Sequence, residues 1–109
     1  KWIDQTNRKE RSNFITNAFT RMRFIGKDTE LDFNEKGSPI DNTSNLLPWF
    51  SHPNRKATES LIIFGHWSAL NYYHDKNIVC LDGGCVWGGI LVAINILHPK
   101  VAIQAKKLD

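Results

Sequence analysis

The residue whose type and position first suggest chemistry is His66, in the stretch LIIFGHWSAL (61–70). An apolar run typical of a buried strand ends at Gly65, a residue type that permits unusual backbone angles. Such an angle would let the imidazole point back over the strand end, where ligands gather in layered α/β proteins. Neutral imidazole is a good ligand for Mn, Fe, Co or Zn. A single histidine is not a metal site, however, and a structural histidine is the commoner interpretation of this spacing.

A glycine-rich loop, DGGCVWGG (82–89), is the second candidate. Four glycines between two strands indicate a tight loop whose backbone closely approaches another group. The alternative is a glycine-rich hairpin without a functional role, in which Trp87 fills the space inside the loop. Asp82 could cap this loop or orient His66. An exposed tryptophan could stack on a purine base, whereas a buried one would be a core anchor.

The remaining histidines and the cysteines suggest no site. His52, His74 and His98 lie beside proline or aspartate, and we expect them on the surface. Cys80 and Cys85 are too far apart for a C-x-x-C motif, and no second pair completes a zinc site. We therefore expect reduced thiols in a cytoplasmic protein, with Cys80 in the core.

The charge pattern is locally basic. The chain of 109 residues has a net charge of +3, with basic residues in NRKERSN (7–13) and at Arg21 and Arg23. This pattern fits either a phosphate-binding patch or a solvated helix face. The sequence contains neither a Gly-rich phosphate loop nor the common nucleic-acid-binding motifs, so we expect no nucleic-acid polymer as partner. No run of ~20 apolar residues predicts a membrane span, and no secretory signal is recognisable.

The predicted elements divide the chain near residue 59. A helix is expected over 11–24, capped by Ser12 or Asn13 and ended by Gly26, with apolar residues at helical spacing: Phe14, Ile15, Ala18, Phe19 and Met22. A short strand at 29–34 and long loops complete residues 1–59. Continuous apolar runs at 60–64, 77–82 and 88–96, with a weaker run at 101–106, predict strands buried on both faces. Short turns, one of them at 98–100, predict antiparallel neighbours.

This layout is α+β by composition, and it leaves the predicted sheet poorly covered. One helix and several loops cannot bury three or four strands on both faces. We therefore expect residues 60–106 to pack against something outside the given sequence.

Four stretches, in one order, resemble a known family: FITNAFTRMRF (14–24), PWF (48–50), IIFGHW (62–67) and CLDGGCVWGGILVA (80–93). They are similar to the C-terminal part of the bacterial symmetrical bis(5′-nucleosyl)-tetraphosphatases, which are calcineurin-like metallophosphoesterases. The resemblance covers roughly residues 11 to 96. It implies an α/β fold, a two-layered β-sandwich flanked by helices, of which residues 1–109 are the C-terminal portion of a single domain.

The resemblance also implies a reaction. Two divalent metals, Mn or Co, activate a bridging hydroxide that cuts diadenosine tetraphosphate symmetrically into two ADP. Gly65-His66 matches the last metal motif, which makes His66 a ligand of one metal. The Asp-x-His, Gly-Asp-x-x-Asp and Gly-Asn-His motifs are absent from this sequence. We therefore expect no catalytic residue here, inactivity of the chain by itself, and the N-terminal half of the same enzyme as partner.

Further site residues are expected around that ligand. Arg21 and Arg23 would contact the polyphosphate, because guanidinium groups pair bidentately with phosphate. Trp67 and Trp87 would shape the nucleotide pocket. The family loop usually reads LDTGC, and glycine at position 83 is expected to loosen it.

Two other functions remain open from the sequence. One is a degenerate module that binds nucleotides or a protein partner without catalysis. The other is a serine/threonine protein phosphatase of the same superfamily, against which the stretch FITNAFTRMRF argues.

Overall fold

The chain divides into two units, Lys1–Arg55 (unit 1) and Lys56–Asp109 (unit 2). The structure is a computed structural model that describes residues 2, 5–40 and 45–106. Within them it shows a mixed α/β composition with one α-helix and three small, mostly antiparallel sheets, as predicted. That all 109 residues belong to a single domain stays a prediction. None of the helices in these ranges is long and apolar enough to span a membrane.

Unit 1 begins with helix α1, Arg8–Arg21. The cap is Asn7 rather than the predicted Ser12 or Asn13: its side chain accepts the Glu10 amide at 2.9 Å, and the Glu10 carboxylate accepts the Asn7 amide. This reciprocal pair satisfies two amides that a helix N-terminus leaves open. No residue of α1 is buried, and Phe19 is 88% exposed. Of the apolar residues predicted at helical spacing, Phe14 and Ala18 are half-buried, whereas Ile15 and Phe19 are exposed in this chain.

Three short strands follow the helix: β1 (Phe24–Ile25), β2 (Leu31–Asp32) and β3 (Leu47–Pro48). Both β2 and β3 pair antiparallel with β1, whose Phe24 is fully buried. The predicted strand at 29–34 is shorter than expected. It ends because Asp32 accepts the amides of Asn34 and Glu35 and turns the chain.

The prediction that His52 lies on the surface is wrong. The side chain is buried, with 7% exposed. Its Nε2 lies 3.3 Å from the Lys27 carbonyl oxygen, and its Nδ1 accepts the Asn54 amide at 3.2 Å. Both ring nitrogens therefore hold loops of unit 1 together, a structural role.

Unit 2 contains a three-stranded sheet of β4 (Ile62–Phe64), β5 (Tyr73–Asp75) and β6 (Ile78–Cys80), in the order β4-β6-β5. The central strand β6 is buried along its length. β5 pairs antiparallel with β6 in a tight hairpin that the sequence analysis missed. β4 instead pairs parallel with β6, against the expectation for neighbouring strands, because β5 lies between them in sequence but on the other side of β6.

A hairpin of β7 (Ile90–Asn95) and β8 (His98–Lys106) completes unit 2. Its turn falls at residues 96–97 rather than at the predicted 98–100. Along β7 the buried Val92 lies between the exposed Leu91 and Ala93. The predicted burial on both faces therefore holds for β6 but is wrong for β4, β7 and β8, where Ile63, Leu91 and Ile103 are exposed.

Candidate functional site

An open groove of about 720 Å³ lies in unit 2, lined by residues 63–66, 81–87 and 90–92. It forms where the parallel strands β4 and β6 both end. The Leu81 amide donates to the Phe64 carbonyl at 2.9 Å and extends this pairing by one step. The two following segments therefore leave the sheet side by side, as at ligand sites of parallel sheets.

His66 lies exposed on this groove, two residues after the end of β4. Its backbone has a φ of 62°, in the left-handed region. The unusual angle was expected at Gly65, but Gly65 is not among the residues with positive φ. Left-handed backbone at a residue other than glycine is uncommon and costs free energy, and such residues concentrate at functional sites.

Asp82 lines the same groove and caps the loop that follows it. Its Oδ1 accepts the Gly84 amide at 3.0 Å, which confirms the loop-capping alternative. Within the described residues no hydrogen bond joins Asp82 to His66. Orientation of the imidazole by Asp82 therefore stays a prediction.

The loop after Asp82 is tightly closed. The Gly84 carbonyl accepts the amides of Trp87 and Gly89, both at 2.9 Å, and the Gly83 carbonyl accepts the Ile90 amide at 3.0 Å. A Cβ on Gly83 would collide with the Ile90 carbonyl oxygen and lie 2.6 Å from the Ile90 Cγ1. The expectation that Gly83 loosens this loop is thus wrong, because the missing side chain lets the loop pack directly on β7.

The two tryptophans of the predicted pocket differ sharply. Trp67 is a core side chain with 1% of its surface exposed, and a direct contact with a nucleotide would require it to be exposed. Trp87 lines the groove and is 83% exposed. Of this pair, Trp87 has a ring face available to a ligand.

The cysteines are free thiols, as expected. Cys80 is buried in β6, and this burial raises the pKa of its thiol, although a hydrogen bond with the Asp82 backbone opposes the rise. A thiol with a raised pKa stays protonated at neutral pH, so Cys80 is a core residue rather than a nucleophile or metal ligand.

Arg21 and Arg23 lie in unit 1. Arg21 is exposed at the end of α1, where its Nη1 donates to Asn17 Oδ1 at 3.0 Å and its guanidinium carbon lies 5.4 Å from the centre of the Phe33 ring. Arg23 is half-buried, and its carbonyl accepts the Trp49 amide at 2.9 Å. Their contact with phosphate stays a prediction.

The structure tests whether this chain could hold a metal by itself. Across residues 2, 5–40 and 45–106, no group of three or more His, Cys, Asp or Glu side chains is placed to bind one ion. His66 presents one imidazole to an open groove, which fits a contributed ligand but not a complete site.

Sequence reasoning missed the apolar margin of the groove. Val86 and Leu91 line it and are strongly exposed, and Ile63 is exposed as well. The continuous apolar run of β7 suggested burial on both faces, and it carries no signal that Leu91 is exposed.

No protein-family model matches the chain. The symmetrical bis(5′-nucleosyl)-tetraphosphatase of Methylococcus capsulatus is 45% identical over 95 residues, which are 87% of this chain and 34% of that protein. The protein of the same name from Vibrio parahaemolyticus is 46% identical over 94 residues (85% and 35%), and that from Burkholderia thailandensis is 38% identical over 107 residues (98% and 38%).

The chain spans about a third of the length of these curated relatives. Their similarity nevertheless extends over most of the chain, including the His66 groove and the loop after Asp82. The predicted resemblance is thereby confirmed: the chain is homologous to the C-terminal portion of the symmetrical bis(5′-nucleosyl)-tetraphosphatases.

Proposed function

We propose that this chain is part of a hydrolase, called the parent enzyme below, that cleaves diadenosine tetraphosphate symmetrically into two ADP. The supporting observation is 38–46% identity, over most of the chain, to proteins named for that activity. The placement of His66 on an open groove is consistent with this activity.

His66 is a ligand of one of two divalent cations, Mn or Co. Its imidazole is exposed, lies at the end of a parallel strand pair and is held on a left-handed backbone. When bound, the metal pair polarises a phosphate and lowers the pKa of a bound water. The other ligands come from the N-terminal part of the parent enzyme, so the chain by itself is inactive.

Asp82 positions this ligand. With Oδ1 occupied by the Gly84 amide, its Oδ2 accepts no hydrogen bond from the described residues. That oxygen can accept an imidazole N–H, which fixes the tautomer and leaves the other ring nitrogen for the metal. Gly83 and Gly84 hold Asp82 at the groove through the closed loop.

The substrate is bound by aromatic and cationic side chains. The exposed Trp87 stacks on an adenine, an interaction worth about 1–3 kcal/mol in nucleic-acid complexes. Arg21 and Arg23 pair with the polyphosphate, whose charge favours guanidinium. Trp67 acts from the core by supporting the segment after His66.

A module that binds nucleotides or a protein partner without catalysis is the second candidate, favoured by the groove with the exposed Trp87 that this chain forms by itself. The relatives' names favour a nucleotide hydrolase over a protein phosphatase. The cytoplasmic location is also part of the proposal.

The test uses the intact parent enzyme with Mn²⁺ and diadenosine tetraphosphate. We expect two ADP as products, and we expect His66→Ala to lower kcat/KM by about 100-fold, because loss even of a group that only orients a metal ligand typically costs about 10–100-fold. His98→Ala is the matched control, because His98 is an exposed histidine of the same unit. Unequal products, or near-normal rates in His66→Ala, would refute the proposal.

A further inference from the structure

The exposed tryptophan of the groove lies on a short turn between two left-handed glycines. A 3₁₀ helix of three residues, Cys85–Trp87, follows Gly84 (φ 71°, ψ 27°) and precedes Gly88 (φ 91°, ψ 8°). The Gly89 amide donates to the Gly84 carbonyl at 2.9 Å, and the Gly88 amide donates to the Cys85 carbonyl at 3.1 Å. This pair of bonds is the Schellman motif, in which the residue at the position of Gly88 has a left-handed backbone.

The glycines of this loop are required for two different reasons. A Cβ on Gly89 would collide with the Gly83 carbonyl oxygen, so glycine at these two positions permits close packing. A Cβ on Gly88 would have no atom within 4 Å, and one on Gly84 would meet the Ser68 Cβ at an ordinary 3.7 Å. Space therefore does not require glycine at position 88. Its backbone angle does, because most other residues adopt a positive φ at a cost in free energy.

The Trp87 side chain depends on this turn for its direction. It is 83% exposed, and within the described part of the chain it forms no hydrogen bond and no contact with another ring or a cation. Trp49, in contrast, packs edge-on against Phe50 with the ring centres 5.5 Å apart. Because a side chain leaves the backbone in one of a few staggered directions, the closed turn determines where the Trp87 ring can point.

We infer that Gly88 is a positioning residue for nucleotide binding, since its left-handed backbone closes the turn that presents Trp87 to an adenine. The inference rests on the proposed function, which assigns adenine stacking to Trp87. The turn is fixed to the groove of His66, because the Gly84 amide donates to Asp82 Oδ1 at 3.0 Å. A ring that is already oriented loses less freedom on binding, which increases affinity.

Equilibrium binding of diadenosine tetraphosphate to the intact parent enzyme, without divalent metal so that no turnover occurs, tests the inference. Gly88→Val should raise Kd about 5-fold or more, the lower end of the cost of losing a base–aromatic stack, because β-branched residues resist a positive φ. Gly88→Asn is the matched variant of similar size: asparagine accepts a left-handed backbone, so Kd should rise by no more than about twofold. Equal weakening by valine and asparagine would overturn the inference, because it would indicate bulk beside the ring rather than backbone angle.

A double-mutant cycle with Trp87→Ala separates positioning from a merely structural role. Trp87→Ala should raise Kd about 5-fold or more. Gly88→Val should then add less than about twofold, because the ring through which it acts is gone. Full additivity of the two effects, or an unchanged Kd in Trp87→Ala, would overturn the inference. If the valine variant does not fold, as judged by thermal unfolding, Gly88→Ala takes its place in the cycle with a smaller change of the same sign.

The hydrolysis assay with Mn²⁺, run on the same variants, separates this inference from the proposed function. An enzyme that forms two ADP, but whose Kd does not respond to Gly88→Val, contradicts the role of Gly88 alone. An enzyme whose Kd depends on Gly88 and Trp87 as expected, but which releases no ADP, contradicts the proposed hydrolase alone.

Discussion

Units 1 and 2 are built differently. Within the described residues, unit 1 has one α-helix, which contains no buried residue, and three strands of two residues each. Unit 2 has a fully buried central strand, the buried Trp67 and an open groove beside them. Stability in unit 2 thus depends on apolar burial, whereas α1 depends on local polar contacts. Substitutions should therefore act more strongly in unit 2.

Unit 2 itself contains a further contrast, between core and rim. Trp67 and Trp87 are twenty residues apart in sequence and have opposite exposure. If the groove binds a nucleotide, substitution of Trp67 should mainly change stability, whereas substitution of Trp87 should mainly change nucleotide binding.

The largest expected effect on stability is that of Trp67→Ala. Removing a fully buried indole should lower the free energy of unfolding by about 3–5 kcal/mol, measured by urea unfolding of the intact protein. Trp87→Ala should change it by less than about 0.5 kcal/mol, because that side chain is exposed, but should raise KM for diadenosine tetraphosphate. Comparable losses of stability in the two variants would invalidate the division into core and rim.

Substitution of the glycines around the groove should change the free energy of unfolding by a smaller amount. Gly83→Thr, the residue that the sequence resemblance implies at this position, should destabilise by about 1–3 kcal/mol, because its Cβ meets the backbone and side chain of Ile90. Gly65→Ala is the control: no atom lies within 4 Å of the added Cβ, and its φ is not positive. It should change the free energy of unfolding by less than about 0.5 kcal/mol in thermal or urea unfolding. A stable Gly83→Thr variant would show that the loop can move away from β7.

Local pattern predicted the elements of both units but not their pairing. The helix near 11–24 and the strands after residue 60 were found because apolar spacing and runs are local signals. The helix start was misplaced, although Asn7 and Glu10 have the spacing of a capping box. β5 was missed because three residues of mixed polarity carry little periodic signal. The parallel pairing of β4 with β6 depends on contacts distant in sequence, which no local pattern encodes.

Some of the residues that line the groove were singled out from the sequence, whereas others were not. Resemblance and position identified His66, Asp82 and Trp87, and all three line one groove. The same reasoning did not distinguish Trp67 from Trp87, because burial of a tryptophan depends on tertiary packing. It also assigned the unusual backbone to Gly65, since glycine accepts such angles most readily, whereas the structure has it at His66.

The smallest expected effect lies in unit 1, at the capping box of α1. The pKa of the Glu10 carboxyl is lowered, chiefly because the Thr6 backbone amide donates to it at 2.9 Å, with the Thr6 hydroxyl and the Asn7 amide adding to the effect. A carboxyl with a lowered folded-state pKa stabilises the fold fully above its unfolded pKa, about 4.3, and loses this contribution as pH falls through the folded value.

Thermal unfolding should therefore show a small loss of stability below about pH 4.3 that Glu10→Gln removes, since glutamine still accepts the amides but does not titrate. Glu59→Gln, an exposed glutamate in unit 2, is the charge-matched control. If Glu10→Gln and Glu59→Gln change the pH profile alike, the capping contacts of unit 1 do not determine this part of the acid response. The effect should remain small, because Glu10 is fully exposed and solvent screens its contacts.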